Sequence, residues 1–129
     1  MQRLLHQEHI YKVGFNHPEH AVLVRLRTQL ETLNDITLVW ASPNFLEVTA
    51  AGVDKLSGLA ALVADWGLTL ADVVAFGDYE NDLAMLAGVG HGVAMSNALP
   101  EVKAVAQEVV PNDDHSGVGR TLRQLHRDN

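Results

Sequence analysis

Val-Val-Ala-Phe-Gly-Asp-Tyr-Glu-Asn-Asp-Leu-Ala-Met, residues Val73–Met85, decides how the rest of the chain is read. The run Val73 to Phe76 is short, apolar and β-branched, which predicts a strand buried on both faces. Gly77 breaks the run, and Asp78, Glu80 and Asp82 follow within five residues. From Asn81 onward, Leu83, Leu86 and Ala87 recur at helical spacing. The reading is strand, tight turn, helix, with acids at the turn. Open α/β sheets bind their ligands at such turns, beyond the carboxyl ends of strands. No Lys or Arg lies between Lys55 and Lys103 to offset the three carboxylates. A hard divalent cation such as magnesium, held by one carboxylate and several waters, fits this turn. The acids also have a plain structural use, since Glu80 and Asp82 each favour a helix N-terminus by about 0.3–1 kcal/mol.

Outward from this stretch, strands and helices alternate, which implies a parallel sheet. Upstream, Leu56, Leu59, Leu62, Val63 and Trp66 make an apolar helical stripe that Gly67 ends. Downstream, Gly92-Val93-Ala94-Met95 is a second short strand with Ser96-Asn97 at its end. Pro100 opens a helix with Val102, Val105 and Val109 inward, and Val109-Val110 begins a third short strand. After the polar loop Pro111 to His115, Ser116 caps a last helix carrying Val118, Leu122 and Leu125. Gly88-x-Gly90-x-Gly92 precedes its strand, so it is not a dinucleotide-binding turn.

Before a joint at Ala50-Ala51-Gly52 the pattern is different. Ile10 to Phe15, Ile36 to Ala41 and Phe45 to Thr49 read as strands, the last two joined through Ser42-Pro43-Asn44. Between the first two strands lies a helix with Asn16 or His17 as its cap and Pro18 at its first position. Val22, Leu26, Leu30 and Leu33 mark its apolar face. This first part is an α+β unit without evident chemistry. His17 and His20 stand at a metal-ligand spacing, but with no third ligand they read as surface histidines.

With 129 residues, the chain can form one domain, or a small domain plus part of another. Its net charge of −7 and scattered basic residues argue against a nucleic-acid surface. The absence of cysteine excludes disulfides and thiolate metal sites. No apolar run approaches the ~20 residues a membrane helix needs. Met1-Gln2-Arg3-Leu4-Leu5 leads into His and Glu rather than a signal core, so a soluble cytoplasmic protein is expected.

Taken together, several motifs resemble one family. They are Lys55, Gly-Asp-Tyr-Glu-Asn-Asp at 77–82, Gly-Val-Ala-Met-Ser-Asn-Ala at 92–98, Pro-Glu-Val-Lys at 100–103 and Asn-Asp-Asp-His-Ser-Gly-Val at 112–118. In this order they are similar to the haloacid dehalogenase superfamily, and within it to the Cof-type sugar-phosphate phosphatases with a large α/β cap. The resemblance implies an α/β fold with a Rossmann-like parallel sheet. Residues 53–129 would be the C-terminal half of that core, and residues 1–52 a remnant of the α+β cap. It further implies that Asp78 coordinates magnesium, that Asn81 helps hold the substrate phosphate and that Asp82 stands behind them. Lys55 would bind the phosphate and the charge of the transition state. Asn97 matches a position near the same crevice, where helix capping is an equal use for it. Phosphoryl transfer depends on positioning and on neutralising the equatorial oxygens, which a lysine and a magnesium ion both do.

One departure stands out. The family's nucleophile is an aspartate in an Asp-x-Asp motif, and this sequence contains no Asp-x-Asp. The expectation is therefore the C-terminal part of a phosphatase for phosphorylated small molecules, inactive alone and binding magnesium weakly. The alternative is a non-catalytic binding or assembly module built on the same remnant. In the family the strand matching Val73–Phe76 lies beside the nucleophile's strand. Without that neighbour it becomes an open edge, to be covered by a homo-oligomer or by the missing N-terminal half.

Overall fold

The computed structural model describes residues 9–112 and 116–128. Met1-Gln2-Arg3-Leu4-Leu5 and the loop residues Asp113, Asp114 and His115 lie outside them. The chain divides into two compact units, residues 1–54 and 55–129.

The first unit holds β1 (Lys12–Asn16), α1 (His20–Leu30), β2 (Ile36–Ser42) and β3 (Phe45–Ala50). Its antiparallel sheet has the order β1-β3-β2. Register places Phe15 and Trp40 on either side of Leu46, so the three side chains share one face. Helix α1 covers that face: Leu46 and Leu23 are fully buried, and the His20 ring lies 4.8 Å from that of Trp40. Val22, Leu26 and Leu30 of the expected stripe are partly buried, but the centre of the covered face is a residue the stripe left out. Leu23 is the buried residue of α1, and Leu33 lies beyond its end, half-exposed. Nor does the helix begin at Pro18; its cap is Glu19, whose N–H donates to Nδ1 of His17 at 3.0 Å. The Nδ1 atom of His20 bonds to the Pro43 carbonyl, so both histidines are tied to backbone.

The second unit holds α2 (Lys55–Asp65), a 3-10 turn (Leu70–Asp72), β4 (Val74–Gly77), α3 (Glu80–Gly88), β5 (His91–Met95), α4 (Pro100–Val105), β6 (Glu108–Val110) and α5 (Gly117–Asp128). Its strands are parallel in the order β4-β5-β6. The central strand β5 is buried on both faces. Ala94 packs with Ala75, Leu86, Val89, Ala98 and Val102, while Val93 and Met95 pack with Val110 and Val118. Helices thus cover both faces, α3 and α4 on one and α5 on the other. Gly67, at φ 71°, ends α2 as expected, with Leu68 N–H closing on the Val63 carbonyl at 2.9 Å.

Several expected faces are corrected. Strand β4 is not buried on both faces: it begins at Val74, which is partly exposed, and forms one edge of the described sheet. Leu62 and Trp66 of the expected stripe are exposed, and Val63 carries the burial of α2. Val109 lies in β6 and faces outward, and Leu122 is exposed while Gly117 and Thr121 are buried. Three strands offer a narrow surface, so only one line of each helix is covered and the flanks of its stripe meet solvent. The basic residues are also less scattered than the sequence suggests, because Arg120, Arg123 and Arg127 line one groove along α5.

Candidate active site

Strand β4 ends at Gly77, and the chain turns through Asp78 and Tyr79 into α3. Tyr79, with φ −127° and ψ 178°, is the extended cap residue, and its carbonyl accepts the Asp82 N–H at 3.0 Å. This places Asp82 in the first turn of α3, facing back across the bend. Its Oδ2 accepts the Asp78 N–H at 3.1 Å, and its Oδ1 is paired with the Lys55 ammonium. Gly77 leaves room for this arrangement, since a Cβ there would stand 2.5 Å from that of Asp82.

Asp82 is buried and charged, a costly combination unless both carboxylate oxygens are bonded. Here both are. Lys55 supplies the countercharge from the first position of α2. A cation at a helix N-terminus opposes the macrodipole by roughly 0.3–1 kcal/mol. Helix propensity therefore does not explain Lys55, whereas its pairing with Asp82 does. The ammonium remains about half-exposed and able to meet an anion from solvent.

The Asp78 side chain differs. Its backbone is held at both ends, the N–H by Asp82 and the carbonyl by the Leu99 N–H at 3.0 Å, yet its carboxylate pairs with no described residue. Tyr79 beside it has its phenol pushed above the ordinary tyrosine value. Burial is the main cause, followed by repulsion from Glu80, Glu101 and Asp78. Asn81 lies half-buried in the first turn of α3. Asn97 is exposed in the turn after β5, next to Ser96, whose Oγ accepts the Asn112 N–H at 3.2 Å. The structure thus brings Lys55, Asp82 and Asp78 together directly, and puts Asn81 and Asn97 on neighbouring turns at the same end of the sheet. Leu99, Tyr79 and the Ser96–Asn112 tie carry no signal in the sequence, because two of them act through backbone atoms.

Among the described residues, no three His, Asp or Glu side chains gather into a metal-binding group. Each Asp82 oxygen already accepts a bond, from Lys55 or from the Asp78 N–H, whereas neither Asp78 oxygen is bonded to a described residue. The residues present therefore fit a hard ion that takes its carboxylate from Asp78.

The chain as a whole, in sequence and in fold, has counterparts among known proteins. The family model for haloacid dehalogenase-like hydrolases matches residues 2–122. The chain belongs to this family. It is 44% identical over 118 residues to an HMP-PP phosphatase of Klebsiella pneumoniae (strain 342), covering 88% of the chain and 43% of that protein. It is 32% identical over 112 residues to the 5-amino-6-(5-phospho-D-ribitylamino)uracil phosphatase YcsE of Bacillus subtilis (strain 168), covering 87% of the chain and 45% of that protein. A solved haloacid dehalogenase-like hydrolase from B. subtilis superposes with a TM-score of 0.84 at 28% identity, over 96% of the chain and 45% of that structure. This haloacid dehalogenase-like chain therefore spans less than half the length of the relatives it matches.

Proposed function

We propose that this chain carries the cation-binding and phosphate-binding half of a phosphomonoesterase site, which acts on a phosphorylated small molecule of the sugar-phosphate class. The observation that carries the reading is the Asp78 carboxylate. It is held at the carboxyl end of an open-edged strand beside a buried Asp82–Lys55 pair, and no described residue engages it. Asp78 would hold magnesium, which when bound supplies charge neutralisation at the phosphoryl oxygens. Lys55 binds a phosphate oxygen with its solvent-facing protons while Asp82 fixes its position. Asn81 and Asn97 donate to the remaining oxygens from their turns. The attacking carboxylate is not in this sequence and comes from a strand laid along β4. The related proteins' phosphatase names support the reaction class. The cytoplasm, where small phosphorylated metabolites are found, is the setting proposed for it.

The residues proposed for the cap, 1–52, would select the leaving group, and those of the core half, 53–129, would handle the phosphate. The open β4 edge calls for a cover, either a second copy of the chain or the strand that brings the nucleophile. Sedimentation at micromolar concentration is expected to show a dimer or larger species, and a clean monomer with solvent-protected β4 amides would contradict the placement. The site itself is tested by following amide resonances during titration with magnesium and inorganic phosphate. The Asp78 and Asn81 amides are expected to shift with magnesium in the wild type and not in Asp78→Asn. The phosphate response is expected to disappear in Lys55→Ala. Shifts indifferent to both substitutions would refute the assignment.

A further inference from the structure

Helix α5 has two faces of different character. Gly117 and Thr121 are buried and Val118 packs on the Val93, Met95 and Val110 cluster, which fixes the helix to the sheet. The opposite face carries Arg120, Arg123 and Arg127, all exposed, which line an open groove of about 410 Å³ with Gln124 and Asp128. None of these guanidiniums is ion-paired to a described residue; Arg25 and Lys103 are also unpaired but stand singly, while Lys12, Arg27 and Lys55 each have a carboxylate partner. They are three of the nine Lys and Arg residues in the chain. With Asp128 they give α5 a charge of +2, so that the rest of the chain carries −9 of the net −7. A local positive row therefore stands on an otherwise acidic protein.

The geometry of the row limits what it fits. Positions 120, 123 and 127 share one face, and the row is about 10 Å long at the helical rise per residue. A row of three cations is shorter than the basic stripe along which a nucleic acid is held, and the chain as a whole is acidic. A helix with carboxylates at i, i+3 or i+4, and i+7 has the same length and spacing, placing one carboxylate opposite each arginine. Guanidinium and carboxylate are matched in shape as well as charge, each offering two parallel atoms to the other. No segment of this chain has acids at that helical spacing on a described helix, so a second copy does not supply the match. We infer that the arginine face of α5 docks an acidic helix of another polypeptide. The inference uses no residue of the phosphoryl site and stands apart from the proposed reaction.

The test is a titration of the whole chain into a fluorescein-labelled, capped alanine-based helical peptide bearing glutamates at i, i+4 and i+7. At low ionic strength the peptide is expected to bind. Binding is expected to weaken about tenfold or more in the Arg120→Glu, Arg123→Glu, Arg127→Glu triple variant, and by a similar factor when sodium chloride rises from about 20 to about 300 mM. The charge-reversed chain is expected to prefer a lysine version of the peptide. Because the three side chains are exposed, the triple Arg→Gln variant should keep the wild-type melting profile and still lose binding, which separates docking from folding. The inference is overturned by no binding at low salt or by equal binding to the reversed chain. Tighter binding of a short oligonucleotide than of the peptide, or salt-sensitive self-association through the same arginines, also overturns it.

Discussion

The two ends of the parallel sheet each carry a side-chain pair, a His–Glu contact at one and an Asp–Lys ion pair at the other, and the two are built for different ends. At the amino end His91 Nε2 lies 3.1 Å from Glu108 Oε2, both partly exposed, and Gln107 Oε1 accepts the Gly92 N–H at 2.6 Å. Each group there is satisfied by a neighbour, and the result ties β5 to β6. At the carboxyl end Asp82 is buried, both of its oxygens are committed, and a second carboxylate, Asp78, stands beside it uncommitted. Stability alone does not call for a buried charge, which an apolar residue of similar size often replaces at no loss. Such groups gather where a charge must be held in a fixed place. The amino end is a fastening, and the carboxyl end is the candidate site.

The contrast is sharpest in the cost of breaking each pair. Asp82→Ala leaves the Lys55 ammonium and the Asp78 N–H without their acceptor, and is expected to cost about 2–4 kcal/mol in urea unfolding. Glu108→Ala, at the exposed pair, is expected to cost no more than about 1 kcal/mol. Equal losses would erase the distinction between the two ends. Gly77→Ala comes next, at about 1–3 kcal/mol, because the added Cβ must displace Asp82 from the bend. A smaller, pH-dependent effect comes from Tyr79. A phenol held above its ordinary value of about 10 binds its proton more tightly folded than unfolded. Its contribution is thus complete below that pH and is lost as pH rises through the folded value. Tyr79→Phe should flatten this alkaline slope, and tyrosinate absorbance should show the phenol of Tyr79 titrating late. An unchanged slope would mean that neither burial nor the carboxylates of Glu80, Glu101 and Asp78 bear on the phenol.

How much of this was legible in the sequence depends on the kind of signal. Strand and helix types in both units were legible, because alternation in Phe45 to Thr49 and helical recurrence after Asn81 are strong periodic patterns. Which flank of a helix is covered was not, as Leu62, Trp66 and Leu122 show. Periodicity gives the direction of a stripe but not the width of the surface beneath it. The start of α1 was placed two residues early, at Pro18; His17, one of the two expected caps, does accept a backbone N–H with its ring, but from Glu19, the residue that caps the helix. At the candidate site, Lys55, Asp78 and Asp82 were singled out through the ordered motifs they belong to, and the structure places them side by side. That Asp82 holds both Lys55 and the Asp78 backbone depends on tertiary placement across 27 residues, and the Leu99 bond to Asp78 involves only main-chain atoms. Neither leaves a mark that residue types can reveal.

The central claim is that this haloacid dehalogenase-like chain holds a phosphate and a cation in place without supplying the attacking group. The most direct test is hydrolysis of an aryl phosphate by the isolated chain in the presence of magnesium, beside Asp78→Ala prepared identically. The account predicts no turnover above the uncatalysed rate in either protein, because positioning groups without a nucleophile give little reaction. Magnesium-dependent turnover in the wild type that disappears in Asp78→Ala would contradict it.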